Sequence, residues 1–205
     1  MASPRVVFLD LGNVLVFHDN ALLFRELGKR AGLAGEEVEK RLMTPEWEQA
    51  NRGTLGANDL RRFVSAAVGY EFGEQEFYKV WNCHFTVHEE VLPIIDALRS
   101  KARVGVISNT NAVHVQYLRT VLPLLDVLSP LLLSCEVGLV KPERELFEKA
   151  CRRAGCSPSE AVFFDDIQEY VDAARIAGLS SRLFTTARQF AADLASMGLA
   201  VTPSP

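Results

Sequence analysis

The run Val6-Val7-Phe8-Leu9, followed at once by Asp10, limits what this chain can fold into more than any other stretch. Four apolar residues without alternation fit a short strand buried on both faces, as in a parallel sheet covered by helices. The last residue of such a strand stands at its C-terminal end, which is where open α/β sheets bind ligands. Asp10 takes that place, and Gly12 follows two residues later. A carboxylate there can be a nucleophile, a metal ligand or both. It can also be a plain turn or helix cap, because Asp is a favoured turn residue.

The same arrangement recurs downstream. Val104–Ile107 reads as a second buried strand, followed by Ser108-Asn109. Leu131–Leu133 reads as a third, with Lys141 in the loop after it and Pro142 expected to begin a helix. Ala161–Phe164 is a fourth strand, ending in Asp165-Asp166, and Ser181–Phe184 a fifth. Helical faces lie between them: Val91, Ile94, Ile95 and Leu98, then Val113, Tyr117, Leu118 and Val121, then Leu146, Phe147 and Ala150. Gly178 closes the next helix, Thr186 opens the last one, and the Thr202–Pro205 tail is expected to be disordered. Strands alternating with helices specify an α/β fold, a three-layer Rossmann-like parallel sheet. Right-handed crossovers then bring Asp10, Ser108, Asn109, Lys141, Asp165 and Asp166 to one edge of that sheet. Each of the aspartates, Ser108 and Asn109 could serve only as a helix cap, but their recurrence at successive strand ends is not a packing requirement.

Between the first two strands the pattern differs. Phe17-His18-Asp19-Asn20 breaks the apolar run, and residues 21–85 read as several short helices. Leu60, Phe63, Val64 and Ala67 mark one helical face, with glycines as punctuation. No strand is expected there, so a small all-helical unit is inserted after the first strand. Residues 18–86 form it, and 1–17 with 87–205 form the α/β core.

Composition narrows the function. The chain has 205 residues, 48% hydrophobic and 23% charged, with a net charge of −4. That balance, without a basic run, argues against nucleic acid as a partner. No apolar run approaches the roughly 20 residues that cross a bilayer, so no membrane role is expected. The four cysteines form no C-x-x-C pair. They fit the thiols of a reducing compartment, and a cytoplasmic location is the expectation.

The segments Phe8-Leu9-Asp10-Leu11-Gly12-Asn13-Val14-Leu15, Val106-Ile107-Ser108-Asn109-Thr110, Lys141-Pro142 and Phe163-Phe164-Asp165-Asp166 resemble, in order, the four motifs of the haloacid dehalogenase-like (HAD-like) hydrolases. The helical insertion sits where that superfamily carries a small cap. Within it, the chain is most similar to bacterial sugar-1-phosphate phosphatases of the glucose-1-phosphate type. The resemblance implies a Mg²⁺-dependent phosphomonoester hydrolase acting on a small phosphorylated metabolite, as a monomer or homodimer. It implies Asp10 as nucleophile of an aspartyl-phosphate pathway and Lys141 as its charge partner. Ser108, Asn109 and Lys141 would hold phosphate oxygens. Asp10, Asp166 and the Gly12 carbonyl would be metal ligands, with Asp165 orienting a metal-bound water or Lys141. A divalent cation makes physical sense here, because carboxylate and phosphate repel each other.

Gly12 departs from the pattern, since most phosphatases of the superfamily carry at that position a second Asp that protonates the leaving group. General acid catalysis contributes roughly 10²–10⁴-fold, so three explanations stand open. Either the leaving group needs little help, as with a sugar 1-phosphate, or His18 or Asp19 substitutes, or catalysis is weak and the fold serves binding. His18, Asp19 and Arg52 are the candidates for substrate contact. A 2-haloacid dehalogenase is the enzymatic rival, but Asp165-Asp166 beside a nucleophilic carboxylate makes sense mainly with a cation. His84 and His88 have i, i+4 spacing without the Glu of a zinc-protease helix.

Overall fold

The computed structural model describes residues 3–201; the Thr202–Pro205 tail lies outside them. In chain order the elements are β1 (Val6–Leu9), β2 (Val16–His18), α1 (Asn20–Ala31), α2 (Gly35–Leu42), α3 (Pro45–Asn51), α4 (Ala57–Val68), α5 (Glu74–Trp81) and β3 (Phe85–Val87). They continue with α6 (Leu92–Leu98), β4 (Arg103–Ser108), α7 (Ala112–Val121), β5 (Leu131–Leu133), α8 (Ser134–Val137) and α9 (Arg144–Ala154). The last are β6 (Ala161–Asp165), α10 (Gln168–Ile176), β7 (Ser180–Leu183) and α11 (Ala187–Ser196).

Five strands form one parallel sheet in the order β5-β4-β1-β6-β7. β1 lies at the centre, which is why its residues are all buried. Because strand side chains alternate, Val7 and Leu9 enter one core with Val104, Val106, Val162 and Phe164. Val6 and Phe8 enter the opposite core with Ile107, Leu132, Ala161 and Phe163. A continuous apolar run is therefore what a strand between two cores requires. Burial of a side chain such as Phe8 contributes about 1.5–3 kcal/mol.

Helices α1–α5 carry a third core of their own, built on Leu23, Leu27, Val38, Leu60, Phe77 and Trp81. Val113 of α7 belongs to the same cluster, so the helical unit rests on the α/β core through that helix. The helices end where the sequence punctuates them: Gly32 and Gly69 close α1 and α4 in the left-handed conformation. Asp19 caps the start of α1 by accepting from Leu22 N–H.

Two expectations need correction. The expectation of no strand in the inserted unit fails at its two ends. β2 and β3 pair antiparallel, Val16 with Val87 and His18 with Phe85, where the chain leaves and re-enters the core. Strands of three residues are too short for periodicity to reveal. Pro142 does not begin a helix either, since α9 starts at Arg144. The Asn109 side chain grips the Lys141 main chain from both sides, donating to its carbonyl at 3.0 Å and accepting its N–H at 2.7 Å. Among the described residues, no helix is long and apolar enough to cross a membrane.

Gly105 tests the packing of the central strands. A Cβ there would stand 2.6 Å from the Pro130 carbonyl oxygen and 3.0 Å from the Phe8 ring. Gly105→Ala is expected to lower stability by about 1–3 kcal/mol through overpacking. Urea unfolding measures it; an unchanged midpoint contradicts the packing described for β1 and β4.

Candidate active site

Asp10 follows β1, and its N–H extends the ladder to the Phe164 carbonyl at 3.0 Å. Asp165 ends β6, the neighbouring strand, so two carboxylates meet at one sheet edge. Lys141 enters between them. Its Nζ donates to Asp165 Oδ2 at 2.6 Å and stands 2.8 Å from Asp10 Oδ1. The ammonium is almost fully buried, with the Tyr170 ring 4.7 Å away. Burial works against its charge, but Asp10 and Asp165 outweigh it and hold Lys141 above its ordinary value.

One ammonium does not neutralise this cluster. Ligand atoms of Asp10, Asp165 and Asp166 all lie within 4.8 Å of one another. Burial and the adjacent Asp10 carboxylate push Asp165 up to about 7, against the pull of Lys141 and the Ile167 N–H. Asp10 Oδ1 is buried and accepts no hydrogen bond of good geometry. An all-oxygen donor set with three carboxylates and one ammonium fits a hard divalent cation.

The surrounding loops hold this cluster in place. Asn13, with φ of +53°, takes the left-handed conformation that Asn tolerates better than most residues. Its Nδ2 donates to Asp166 Oδ2 at 2.8 Å, and its Oδ1 accepts the His18 N–H at 3.4 Å. Ser108 ends β4 and is buried. The loop after it is fixed by Ser134 Oγ, which accepts from Thr110 N–H and donates to the Thr110 carbonyl. Asn111, not Ser108 or Asn109, caps α7. A cavity of about 200 Å³ opens above Asp10; Ser108, Asn109, Lys141, Asp166, His18 and Trp47 are among its lining residues.

The structure thus brings Asp10, Gly12, Ser108, Asn109, Lys141 and Asp166 to one cavity, with Asp165 fully buried and joined to it through Lys141. Of the residues expected to contact substrate, only His18 lines it. Asp19 is exposed, caps α1 and stands 3.6 Å from Arg25. Arg52 pairs with Glu48 and with Glu143 at 2.6 Å, in an adjoining recess beside Pro142 that shares Trp47, Asn51, Asn109 and Lys141 with the cavity. It ties the helical unit to the core instead of facing the cavity. Asn20, Asn51 and His114, which carry no usable pattern in sequence, also line the cavity, as do Trp47, one of the aromatic residues of the helical unit, and His84. His84 and His88 do not share a helix, because β3 lies between them; His88 Nδ1 meets the Val14 carbonyl at 3.0 Å.

His84 and His114 are buried and held neutral. Burial and the neighbouring His18 lower His84 to about 4, with Asp19 pulling weakly the other way. Burial, then His84, places His114 well below the ordinary range. Asn111 Oδ1 accepts from Trp81 Nε1 and the His114 N–H, so its amide nitrogen faces His114 Nδ1 at 3.1 Å. Both folded-state values lie below that of an unfolded imidazole. As pH falls, the unfolded chain binds these protons first, so stability present above about pH 6.5 is lost toward pH 4. His84 alone is expected to cost roughly 2 kcal/mol between pH 7 and pH 5. Urea unfolding at the two pH values should show a smaller loss in His84→Gln; identical losses contradict a neutral buried His84.

The haloacid dehalogenase-like hydrolase sequence model matches residues 4–178. A "Phosphatase MT3486" of Mycobacterium tuberculosis is 31% identical, over 97% of this chain and 96% of its own length. A D-ribitol-5-phosphate phosphatase of Bacteroides thetaiotaomicron is 29% identical, over 79% of this chain and 82% of its own. Among solved structures, a HAD family enzyme of the same organism, in complex with magnesium and inorganic phosphate, superposes with a TM-score of 0.81. It is 24% identical, and the match covers 89% of this chain and 94% of that one. A parallel sheet with aspartates and a lysine gathered at its C-terminal edge, matched along most of its length by this sequence model, makes the chain a member of the haloacid dehalogenase-like hydrolase family.

Proposed function

We propose that the protein is a Mg²⁺-dependent phosphomonoesterase that cleaves small sugar or related polyol monophosphates through an aspartyl-phosphate on Asp10. The buried Lys141 bridge between Asp10 and Asp165, with Asp166 alongside, carries the reading. The match to a D-ribitol-5-phosphate phosphatase supports the substrate class.

Asp10, Asp166 and the Gly12 carbonyl would hold the Mg²⁺, which when bound supplies the positive charge that lets a phosphate dianion approach a carboxylate. Asp10 then attacks phosphorus in line with the leaving oxygen. Lys141 neutralises the nucleophile and the equatorial oxygens. The Ser108 hydroxyl and the Asn109 N–H hold those oxygens in the loop that precedes α7. Asp165 keeps the Lys141 ammonium at its post and serves as a positioning residue. Residues 18–86 act as a cap over a core of 1–17 and 87–205, joined to it by the Arg52–Glu143 pair. Among the described residues, Lys141 is the only Lys or Arg on the cavity wall, and it is already engaged by two carboxylates. A small neutral leaving group therefore suits the site better than one bearing a second anion.

Asp10→Asn is expected to reduce phosphate release from sugar phosphates to background while circular dichroism stays unchanged; persistent release contradicts the nucleophile assignment. Chelation by EDTA should abolish turnover and added Mg²⁺ restore it. Metal-independent halide release from 2-haloacids would instead favour the dehalogenase reading.

A further inference from the structure

Gly12 leaves an open place beside the Asp10 carboxylate. A Cβ built on Gly12 would lie 3.7 Å from Asp10 Oδ2. The same point is 2.9 Å from both Cδ2 and Nε2 of His18. The edge of the imidazole thus occupies the space that a side chain on residue 12 would need. This placement is built into the local fold. Asn13 N–H donates to the Val16 carbonyl at 2.7 Å, and Val16 N–H donates to the Leu11 carbonyl at 2.9 Å, so the chain turns back on itself after Gly12. β2 then carries His18 to the cavity wall, paired with Phe85 of β3 and held through its N–H by Asn13. Asn13 also holds Asp166, which couples the position of His18 to that of the carboxylate cluster.

The other acidic or imidazole groups nearby are occupied or withdrawn. Asp19 is exposed and caps α1. His84 and His114 line the same cavity but are more deeply buried than His18 and held neutral, the His18 and His84 ring centroids being 6.3 Å apart. His18 is half-buried and opens onto the cavity.

We propose that His18 is a catalytic residue whose Nε2 delivers the proton to the leaving-group oxygen. The inference rests on the phosphomonoesterase reading above. In the first half-reaction a bond forms between an Asp10 carboxylate oxygen and phosphorus, and the bond from phosphorus to the ester oxygen breaks. The bonding pair goes to that oxygen, which takes the His18 Nε2 proton and departs as the alcohol. In the second half-reaction water attacks the same phosphorus and gives a proton to His18 Nε2. The bond to Asp10 breaks, releasing phosphate and restoring both side chains. With an acid in place, the enzyme is not confined to sugar 1-phosphates and accepts esters of ordinary alcohols.

The test compares an ester that needs a proton with one that does not. Full-length protein with Mg²⁺ is assayed on ribitol 5-phosphate and on p-nitrophenyl phosphate at one fixed pH, as wild type, His18→Ala and His18→Gln. The glutamine keeps bulk and hydrogen bonding but delivers no proton. Both variants are expected to lose at least about 100-fold more kcat on the alkyl ester than on the aryl ester. Equal losses on the two esters, no loss, or full alkyl activity in His18→Gln overturns the proposal. So does wild-type activity confined to the aryl ester. A wild type that releases phosphate from neither ester overturns the phosphomonoesterase reading itself, and this proposal with it.

Discussion

The ammonium of Lys141, enclosed between Asp10 and Asp165, is the interaction on which the arrangement of this molecule turns. Burying a lone charge costs several kcal/mol, and removing one partner of a buried pair leaves that cost unmet. The chain meets the requirement with groups from three separate segments: the ends of β1 and β6, and the loop before α9. The adjacency of β1 and β6 in the parallel sheet brings the carboxylates together. The two-sided grip of Asn109 on the Lys141 main chain brings the ammonium to them. Carboxylate charge still exceeds ammonium charge, and burial together with the adjacent Asp10 carboxylate holds Asp165 above its ordinary value. The same imbalance suits the cluster to a divalent cation, so the feature least favourable to folding is the one suited to chemistry.

Around this centre, rigidity and access are divided between two kinds of structure. The sheet edge fixes Asp10 and Asp165 through backbone ladders buried between two cores. The short β2–β3 ribbon with helices α1 and α3 supplies the upper wall of the cavity, including His18, Asn20, Trp47 and Asn51. Their own apolar core lets the upper wall hold its shape without drawing on the core beneath the sheet. Arg52 fastens the helical side to Glu143, two residues beyond Lys141, so the upper wall is tied to the loop that carries Lys141. Gly53 follows in the left-handed conformation, where a Cβ would meet the Cys135 carbonyl oxygen at 1.9 Å, and this permits the close approach.

The fold was legible where one physical demand dominates. Runs such as Val6–Leu9 and Ala161–Phe164 are apolar throughout because cores lie on both faces, and the aspartates after them had to fall at one edge of a parallel sheet. Features that depend on distant partners were not legible. The three-residue strands β2 and β3 exist through each other and carry no period of their own. Arg52 looked available for substrate because its partner Glu143 is far along the chain. Asn13 passed unnoticed although it connects Asp166 to His18; its place after Gly12 in a reversing turn was the only local signal. Pro142 suggested a helix start by its usual preference, and the Asn109 clamp overrode it.

The account stands or falls on whether Asp10 itself becomes phosphorylated. Turnover on a sugar phosphate with Mg²⁺, quenched with borohydride, converts an aspartyl phosphate to homoserine, which peptide mass spectrometry locates. Homoserine at position 10 is the predicted result. An unaltered Asp10 during active phosphate release, or reduction at another aspartate, would contradict it.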